Sequence, residues 1–153
     1  MKLTEILTEE QIVADLEGRA KKAVMEELCR LLVSSHPELD QERLLEVLLE
    51  RERLGSTGIG DGIAIPHGKM PELENLLLAF GRSRAGVDFD SLDGKPAHLF
   101  FLVVAPDRSA GIHLKALARI SRLLKSYSVR QELMEAKDAG DIYRVIKAQD
   151  EEF

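Results

Sequence analysis

Cysteine is almost absent from this 153-residue chain, in which Cys29 is the one cysteine. One thiol excludes an intramolecular disulfide and any metal site built from paired cysteines, and it favours a reducing compartment. Because Cys29 lies among apolar residues at helical spacing, we interpret it as a buried core thiol. We therefore expect a cytoplasmic protein.

Long hydrophobic runs and an excess of positive charge are also lacking. No stretch approaches the roughly 20 apolar residues that span a bilayer, and acidic residues interrupt the N-terminus, so direct membrane insertion is not expected. The net charge is −6 and the pI is about 5.3, which argues against nucleic-acid binding. The acidic balance favours a protein partner with a basic face.

The chain does have the length and composition of one packed domain, which we expect to cover residues 1–153. Hydrophobic residues make up 44% and charged residues 31%, as in ordinary globular proteins. Five segments show the three-to-four apolar spacing of amphipathic helices, and they are about 19–34, 40–54, 112–125, 128–137 and 141–149. Asp40 and Ser128 are predicted N-caps, and Asp141 is predicted to start the last helix.

The segment Ala97–Ala105, AHLFFLVVA, predicts a central strand because it is a continuous β-branched and aromatic run. Further strand candidates are an edge strand at 12–13 and two runs at 63–65 and 76–80. The order of these elements predicts an α/β fold. We expect a single-domain sandwich with a mixed, mostly parallel β-sheet of about five strands, flanked by helices on both faces.

The stretch Gly55–Lys69, GSTGIGDGIAIPHGK, is the strongest candidate for a functional site. It begins as a glycine-rich loop, continues as a short apolar run, and ends at Pro66-His67-Gly68. Pro66 fixes the approach of the chain and Gly68 leaves the imidazole open, so we expect His67 at a loop edge. We interpret it as a nucleophile for a phosphoryl group, although these residues alone leave a structural histidine equally open.

Several other motifs are excluded by spacing. A P-loop needs four residues before Gly-Lys, whereas five separate Gly62 from Gly68, and Met70 follows Lys69 instead of a hydroxyl residue. The glycines do not form GxGxxG, and Ser56 lacks the glycine that a nucleophile elbow requires. No HExxH pattern is present. We therefore expect neither a cofactor nor a resident metal.

The other three histidines are weaker candidates. We interpret His36, which precedes a proline, as a solvated loop residue, and His98 as a structural histidine of the central strand. His113 lies at the start of the helix that follows this strand, where ligands often collect. From its position alone, His113 is interpreted as a helix-start histidine.

The run from Arg51 to Gly68, RERLGSTGIGDGIAIPHG, closely resembles the phosphorylation-site signature of the fructose/mannitol-type enzyme IIA domains of the bacterial phosphotransferase system. This family includes the nitrogen-regulatory enzyme IIA, which the chain resembles most. The segment GIHLKALARIS, around His113, resembles the second histidine motif of the family. The resemblance covers nearly the whole chain, with Asp61 standing where relatives often carry Asn or another polar residue.

The resemblance implies a role for three residues. His67 matches the phosphorylated histidine, which uses Nε2 in this family, His113 matches its partner histidine, and Arg51 matches the arginine near the phosphoryl group. A neutral imidazole is a good nucleophile near pH 7, and a guanidinium binds phosphate oxygens through two parallel hydrogen bonds.

Ser56, Thr57 and Gly68 are further phosphate-binding candidates, through hydroxyl or backbone N–H groups. Ser56 and Thr57 also fit plain turn positions.

The implied function is that of a phosphocarrier in the phosphoenolpyruvate-dependent phosphotransferase system. It would accept its phosphoryl group from an HPr-like carrier protein and form a phosphohistidine, with a regulatory, nitrogen-related role and regulatory target proteins. The alternatives are a sugar-transport enzyme IIA that passes the group to a IIB component, and an interaction module without phosphoryl transfer. A metal-dependent hydrolase built on His67 and His113 is a more distant alternative.

Overall fold

The structure, a computed structural model, describes residues 2–108 and 110–151. Within these ranges one sheet contains six strands, which are β1 (Ile12–Val13), β2 (Gly58–Gly60), β3 (Ile63–Ala64), β4 (His67–Lys69), β5 (Leu77–Val87) and β6 (Ala97–Ala105). The helices described are α1 (Lys21–Ser35), α2 (Gln41–Arg53), α3 (Ala110–Lys125), α4 (Tyr127–Glu135) and α5 (Ala139–Asp150). None of the described helices is long and apolar enough to cross a bilayer.

The sheet is mixed and mostly parallel, as predicted, but has one strand more than the five expected. Its order is β1-β5-β6-β3-β2, with β4 also paired to β6. The pairs β1–β5, β3–β6 and β4–β6 are parallel, whereas β5–β6 and β2–β3 are antiparallel. The edge strand at 12–13 and the boundaries of β6 are confirmed, while β5 extends well beyond the predicted 76–80.

Strand β6 is buried on both faces, which explains its continuous apolar sequence. Leu99, Phe101 and Val103 pack into the core beneath the three C-terminal helices. Phe100 and Leu102, which point the opposite way, pack into a second core beneath α1 and α2. The side chains of a strand alternate between faces, so a strand covered by helices on each side needs apolar residues at every position.

Two of the predicted helix starts are wrong. Ser126, not Ser128, caps α4, because its side chain accepts a hydrogen bond from the backbone of Val129. Asp138 caps α5 by accepting from the N–H of Asp141, so Asp141 lies in the first turn instead of starting the helix. The prediction that Asp40 caps α2 is confirmed.

Candidate functional site

Strands β3 and β4 follow one another along the same side of β6, and His67 lies at the start of β4, at the surface. Ile63 pairs with Leu99 in β3, and His67 pairs with Val103 in β4. Between the two strands, the carbonyl of Pro66 accepts a hydrogen bond from Val103 N at 3.0 Å. His67 therefore begins a strand, and the prediction of a loop edge is wrong because the ladder with β6 resumes at once after the proline.

The glycine-rich segment forms a β-hairpin instead of an open loop. Strands β2 and β3 are joined by Asp61 and Gly62, whose φ angles are 58° and 78°. Two positive φ angles are typical of the tight turns that connect hairpin strands, and Asp-Gly is a preferred sequence for them. Asp-Gly marks this turn in the sequence, but strands of three and two residues are too short to show a period.

A hydrogen bond fixes the tautomer of His67. Its Nδ1 lies 2.7 Å from the carbonyl oxygen of Ile65, two residues earlier. A carbonyl only accepts, so Nδ1 carries the proton and the lone pair of the neutral ring is on Nε2. Burial lowers the pKa of His67 and the nearby Arg51 lowers it further, against the opposite effects of the Ile65 carbonyl and Glu52. The ring is therefore neutral, with a nucleophilic Nε2, at pH 7.

His113 lies in the first turn of α3 and faces His67 edge-on. The ring centroids are 5.3 Å apart and the ring planes are at 73°. His113 is 7% exposed, and its Nδ1 is buried without a hydrogen-bond partner in the described part of the chain. Burial lowers the pKa of His113, and positive charge on His67 or Lys69 lowers it further. Protonation of His113 beside a charged His67 is therefore doubly unfavourable.

Both histidines line an open cavity of about 650 Å³ that is rich in positive charge. Arg51, Arg53 and Lys69 contribute cations to its lining, and Glu50 contributes the one carboxylate that the described lining contains. Arg51 is anchored by donating from Nη1 to the carbonyl of Gly55 at 2.9 Å. The local field is thus opposite in sign to the net charge of −6, and it suits a phosphoryl group better than it suits the basic partner surface that the net charge predicted.

Gly68 lines the same cavity and lets β4 approach α2 closely. A Cβ atom built on Gly68 would lie 2.6 Å from Cγ1 of Val47. A glycine is therefore needed here for packing, independently of any contact with phosphate.

Ser56 and Thr57 lie outside the described lining of the cavity, and their polar groups bond within the protein. The Ser56 hydroxyl donates to the carbonyl of Phe89 at 2.7 Å and accepts from the N–H of Gly58. The Thr57 hydroxyl and N–H both bond the carboxylate of Glu52. The structure thus unites four of the six predicted site residues and places these two behind them as loop anchors.

The remaining histidines also lie outside the described lining of the cavity. Nδ1 of His98 bonds the carbonyl of Ser83 at 2.9 Å, in keeping with a structural histidine. His36 lies in a loop, as predicted, but it is half-buried and bonds Gln11, so the prediction that it is solvated is wrong. Sequence reasoning did not single out Arg53, a charged helix-end residue whose place at the cavity depends on how α2 packs on β4. In the described part of the chain, no three His, Cys, Asp or Glu side chains are grouped to hold a metal ion.

Comparison with known proteins identifies the class to which this fold and cavity belong. The family model described as "Phosphoenolpyruvate-dependent sugar phosphotransferase system, EIIA 2" matches residues 5–149. The chain belongs to this family of enzyme IIA domains, as the resemblance in the sequence predicted, and it is a phosphocarrier component of the phosphotransferase system.

Particular relatives include a nitrogen regulatory protein and a fructose-specific component of the phosphotransferase system. The chain is 40% identical over 146 residues to the nitrogen regulatory protein of Bradyrhizobium diazoefficiens, covering 95% of each chain. It is 42% identical over 150 residues to the fructose-specific EIIABC component of Bacillus subtilis, covering 98% of this chain but 24% of that protein. The chain thus spans about a quarter of the length of this second relative.

Solved structures show the same fold. The crystal structure of nitrogen regulatory protein IIA-Ntr from Neisseria meningitidis matches with a TM-score of 0.88 and 36% identity, covering 94% of this chain and 98% of that chain. The mannitol enzyme IIA of Escherichia coli, solved in complex with phosphorylated enzyme IIB, matches with a TM-score of 0.77 at 20% identity, over 93% and 97% of the two chains.

Proposed function

We propose that this protein is a regulatory phosphocarrier that accepts a phosphoryl group on Nε2 of His67 from an HPr-like carrier protein. The observation that carries the proposal is the hydrogen bond from Nδ1 of His67 to the carbonyl of Ile65. It assigns the proton to Nδ1 and leaves Nε2 as the nucleophile. The lowered pKa of His67 keeps this ring neutral at the pH at which it would react.

The transfer is an exchange between two imidazole nitrogens. The bond from phosphorus to the donor's nitrogen breaks and returns its electron pair to that ring, while the lone pair of His67 Nε2 forms the new bond to phosphorus. For such a reaction the protein mainly positions the reacting groups and stabilises their charge, and it contributes little covalent catalysis. The cationic groups of Arg51 and Lys69, which line the same cavity, are suited to balance the charge of the phosphoryl oxygens.

His113 contacts the reacting ring of His67. Its edge-on contact restricts the rotation of His67, and its own lowered pKa keeps it from placing a second positive charge beside a ring that must remain neutral. A phosphohistidine is also a good phosphoryl donor, since the imidazole leaves readily, so the same arrangement serves onward transfer.

The test is phosphorylation in a defined mixture. Incubation with phosphoenolpyruvate, enzyme I and the HPr-like carrier is expected to add one acid-labile phosphoryl group, measured by intact mass. His67→Ala is expected to gain none, and omission of the carrier is expected to slow the reaction. No gain by the unaltered protein would leave an interaction module as the better description, and gain by His67→Ala would remove the acceptor role of His67.

A sugar-transport role is the second candidate, favoured by the 42% identity to the fructose-specific component of Bacillus subtilis. The regulatory role is favoured by relatives matched over nearly their whole length, at 40% identity over 95% of the Bradyrhizobium protein. The two roles differ in the next acceptor. Mixing the phosphorylated protein with fructose- and mannitol-specific IIB domains decides between them, since rapid loss of its phosphoryl group to a IIB domain contradicts the regulatory role.

A further inference from the structure

Glu52 is a buried carboxylate next to the candidate site, and the mechanism above gives it no part. It lies in the last turn of α2 and is 9% exposed. Oε1 accepts from the N–H of Thr57 at 2.8 Å and is also bonded by the Thr57 hydroxyl. Oε2 lies 2.6 Å from Nζ of Lys21 in α1. Burying a carboxylate is unfavourable unless it is paired and hydrogen-bonded, so each of these contacts matters.

A continuous chain of contacts leads from Glu52 to the reactive ring. The carbonyl of Thr57, the residue that Glu52 holds, accepts a hydrogen bond from Ile65 N at 3.0 Å. The carbonyl of Ile65 then accepts the proton of His67 Nδ1 at 2.7 Å. Ile65 is therefore fixed by Thr57 at its nitrogen and contacts His67 at its oxygen, and the rotation of this one residue decides where its carbonyl points.

The Thr57 end of this chain is itself held from several sides. Lys21, which pairs with Glu52, also lies 3.3 Å from a carboxylate oxygen of Asp90 and 4.9 Å from the ring centre of Phe89. The carbonyl of Phe89 accepts from Ser56, the neighbour of Thr57. The segment around Thr57 is thus tied to α1, to α2 and to the connection between β5 and β6, with Glu52 at the centre.

We propose that Glu52 is a positioning residue for phosphoryl acceptance. Its hydrogen bonds with Thr57 hold the Ile65 carbonyl in place. This carbonyl keeps the proton of His67 on Nδ1 and the lone pair on Nε2. The inference rests on the proposed function and extends it to a residue that does not touch the phosphoryl group. Release of Thr57 frees Ile65 to rotate, and the Nε2–H tautomer, which cannot attack phosphorus through Nε2, becomes populated.

Glu52 also acts on His67 electrostatically, and this effect is separate from the positioning. Its negative charge raises the pKa of His67 and so opposes burial and Arg51, which lower it. A neutral residue at position 52 is therefore expected to lower the pKa of His67, a change that the loss of a remote structural contact would not produce.

The test compares tautomer, transfer rate and stability in matched variants. Glu52→Ala removes the contacts with Thr57 and Lys21, whereas Glu52→Gln keeps an acceptor oxygen for Thr57 but loses the ion pair with Lys21. Glu46→Gln alters an exposed glutamate of the same helix and is the matched control. Asp150→Asn weakens a distant buried carboxylate that accepts from Leu3, Thr4 and Arg119. It controls for loss of stability alone.

The ring ¹⁵N shifts of His67 in the unphosphorylated proteins report the tautomer directly. We expect Nδ1–H in the unaltered protein, Glu46→Gln, Asp150→Asn and Glu52→Gln, and a mixture in Glu52→Ala. The rate of phosphoryl acceptance by Glu52→Ala should fall by about tenfold or more, as for a misoriented reacting group, whereas Asp150→Asn should keep its rate.

An unchanged tautomer and rate in Glu52→Ala would overturn the proposal. If that variant does not fold, Thr57→Val replaces it, since it removes the hydroxyl contact with Glu52 and keeps the N–H contact. A smaller shift toward the Nε2–H tautomer is expected there, and an unshifted tautomer overturns the proposal equally. If the unaltered protein accepts no phosphoryl group, the proposed function fails, whereas the ¹⁵N measurement still decides whether Glu52 positions the ring.

Discussion

The rings of His67 and His113 meet edge to face, with their centroids 5.3 Å apart. The first ring comes from β4 and the second from α3, and both elements adjoin β6, which pairs with β4 and precedes α3 in the chain. Burial lowers the pKa of both rings, and positive charge on His67 lowers the pKa of His113 further. A half-buried and a buried imidazole, both neutral, lie beside three cationic side chains, and in this arrangement added negative charge is favourable.

Replacement of His113 by Ala should impair transfer without unfolding the protein. The expected loss in the rate of phosphoryl acceptance is about 10²-fold, comparable to the loss of one group that stabilises a transition state. The measurement is single-turnover transfer from the phosphorylated carrier, with a circular dichroism melt to show that the fold persists. His36→Gln, which alters a histidine outside the cavity, is the matched control, and a His113→Ala variant that transfers at the unaltered rate would contradict the assigned role.

Replacement of Arg51 by Ala should also slow acceptance, by about 10²-fold, because the guanidinium beside His67 is lost. Arg51→Lys should recover part of the rate, since it restores the charge but not the planar pair of donors. Arg43→Ala, on the exposed face of the same helix, controls for the loss of a surface charge. Equal rates for Arg51→Ala and Arg43→Ala would show that Arg51 has no part in transfer.

The pH dependence follows from the lowered pKa of His67. Its ordinary value is 6.5, and burial and Arg51 hold it lower in the folded protein. The neutral, reactive ring therefore persists as the pH falls through 6.5 and is lost only as the pH falls through the lower folded pKa. An NMR titration of the His67 ring protons measures this directly, and Arg51→Ala should move the midpoint upward. A midpoint above 6.5 in the unaltered protein would contradict the burial effect.

Gly68→Ala should push β4 away from α2, because the new Cβ would lie 2.6 Å from Cγ1 of Val47. We expect a loss of about 1–3 kcal/mol in the free energy of unfolding, as for other overpacked sites, together with slower transfer from a displaced His67. Denaturant unfolding measures the stability change. Adding Val47→Ala removes the opposing methyl groups, and the double variant should recover both properties relative to Gly68→Ala alone. Without such recovery, the effect would have another origin.

The sequence predicted the fold where the apolar pattern was long. Strand β6 and the five helices have nine or more residues each, so their periodicity is readable, and the strand buried on both faces carried the strongest signal. Strands β2 and β4 have three residues each and contain glycine, so neither period nor propensity marked them. The helix caps were misplaced by two or three residues because several polar side chains near each helix start are suitable, and local geometry selects one.

The site was predicted only in part for a different reason. The motif around His67 and that around His113 are local in sequence, and the structure brings them together as the resemblance implied. The hydroxyls of Ser56 and Thr57 depend on groups that tertiary packing supplies, the carbonyl of Phe89 and the carboxylate of Glu52. A glutamate near a helix end ordinarily faces solvent, so its burial could not be read from the sequence.

The most direct test of the account is the identity of the phosphorylated atom. Long-range ¹H–¹⁵N spectra of the phosphorylated protein, with the ring assigned to His67 through its neighbours, show which nitrogen bears phosphorus. The account predicts phosphorus on Nε2 of His67 and a proton retained on Nδ1, where the Ile65 carbonyl accepts it. Phosphorus on Nδ1 of His67, or on any other residue, would contradict it.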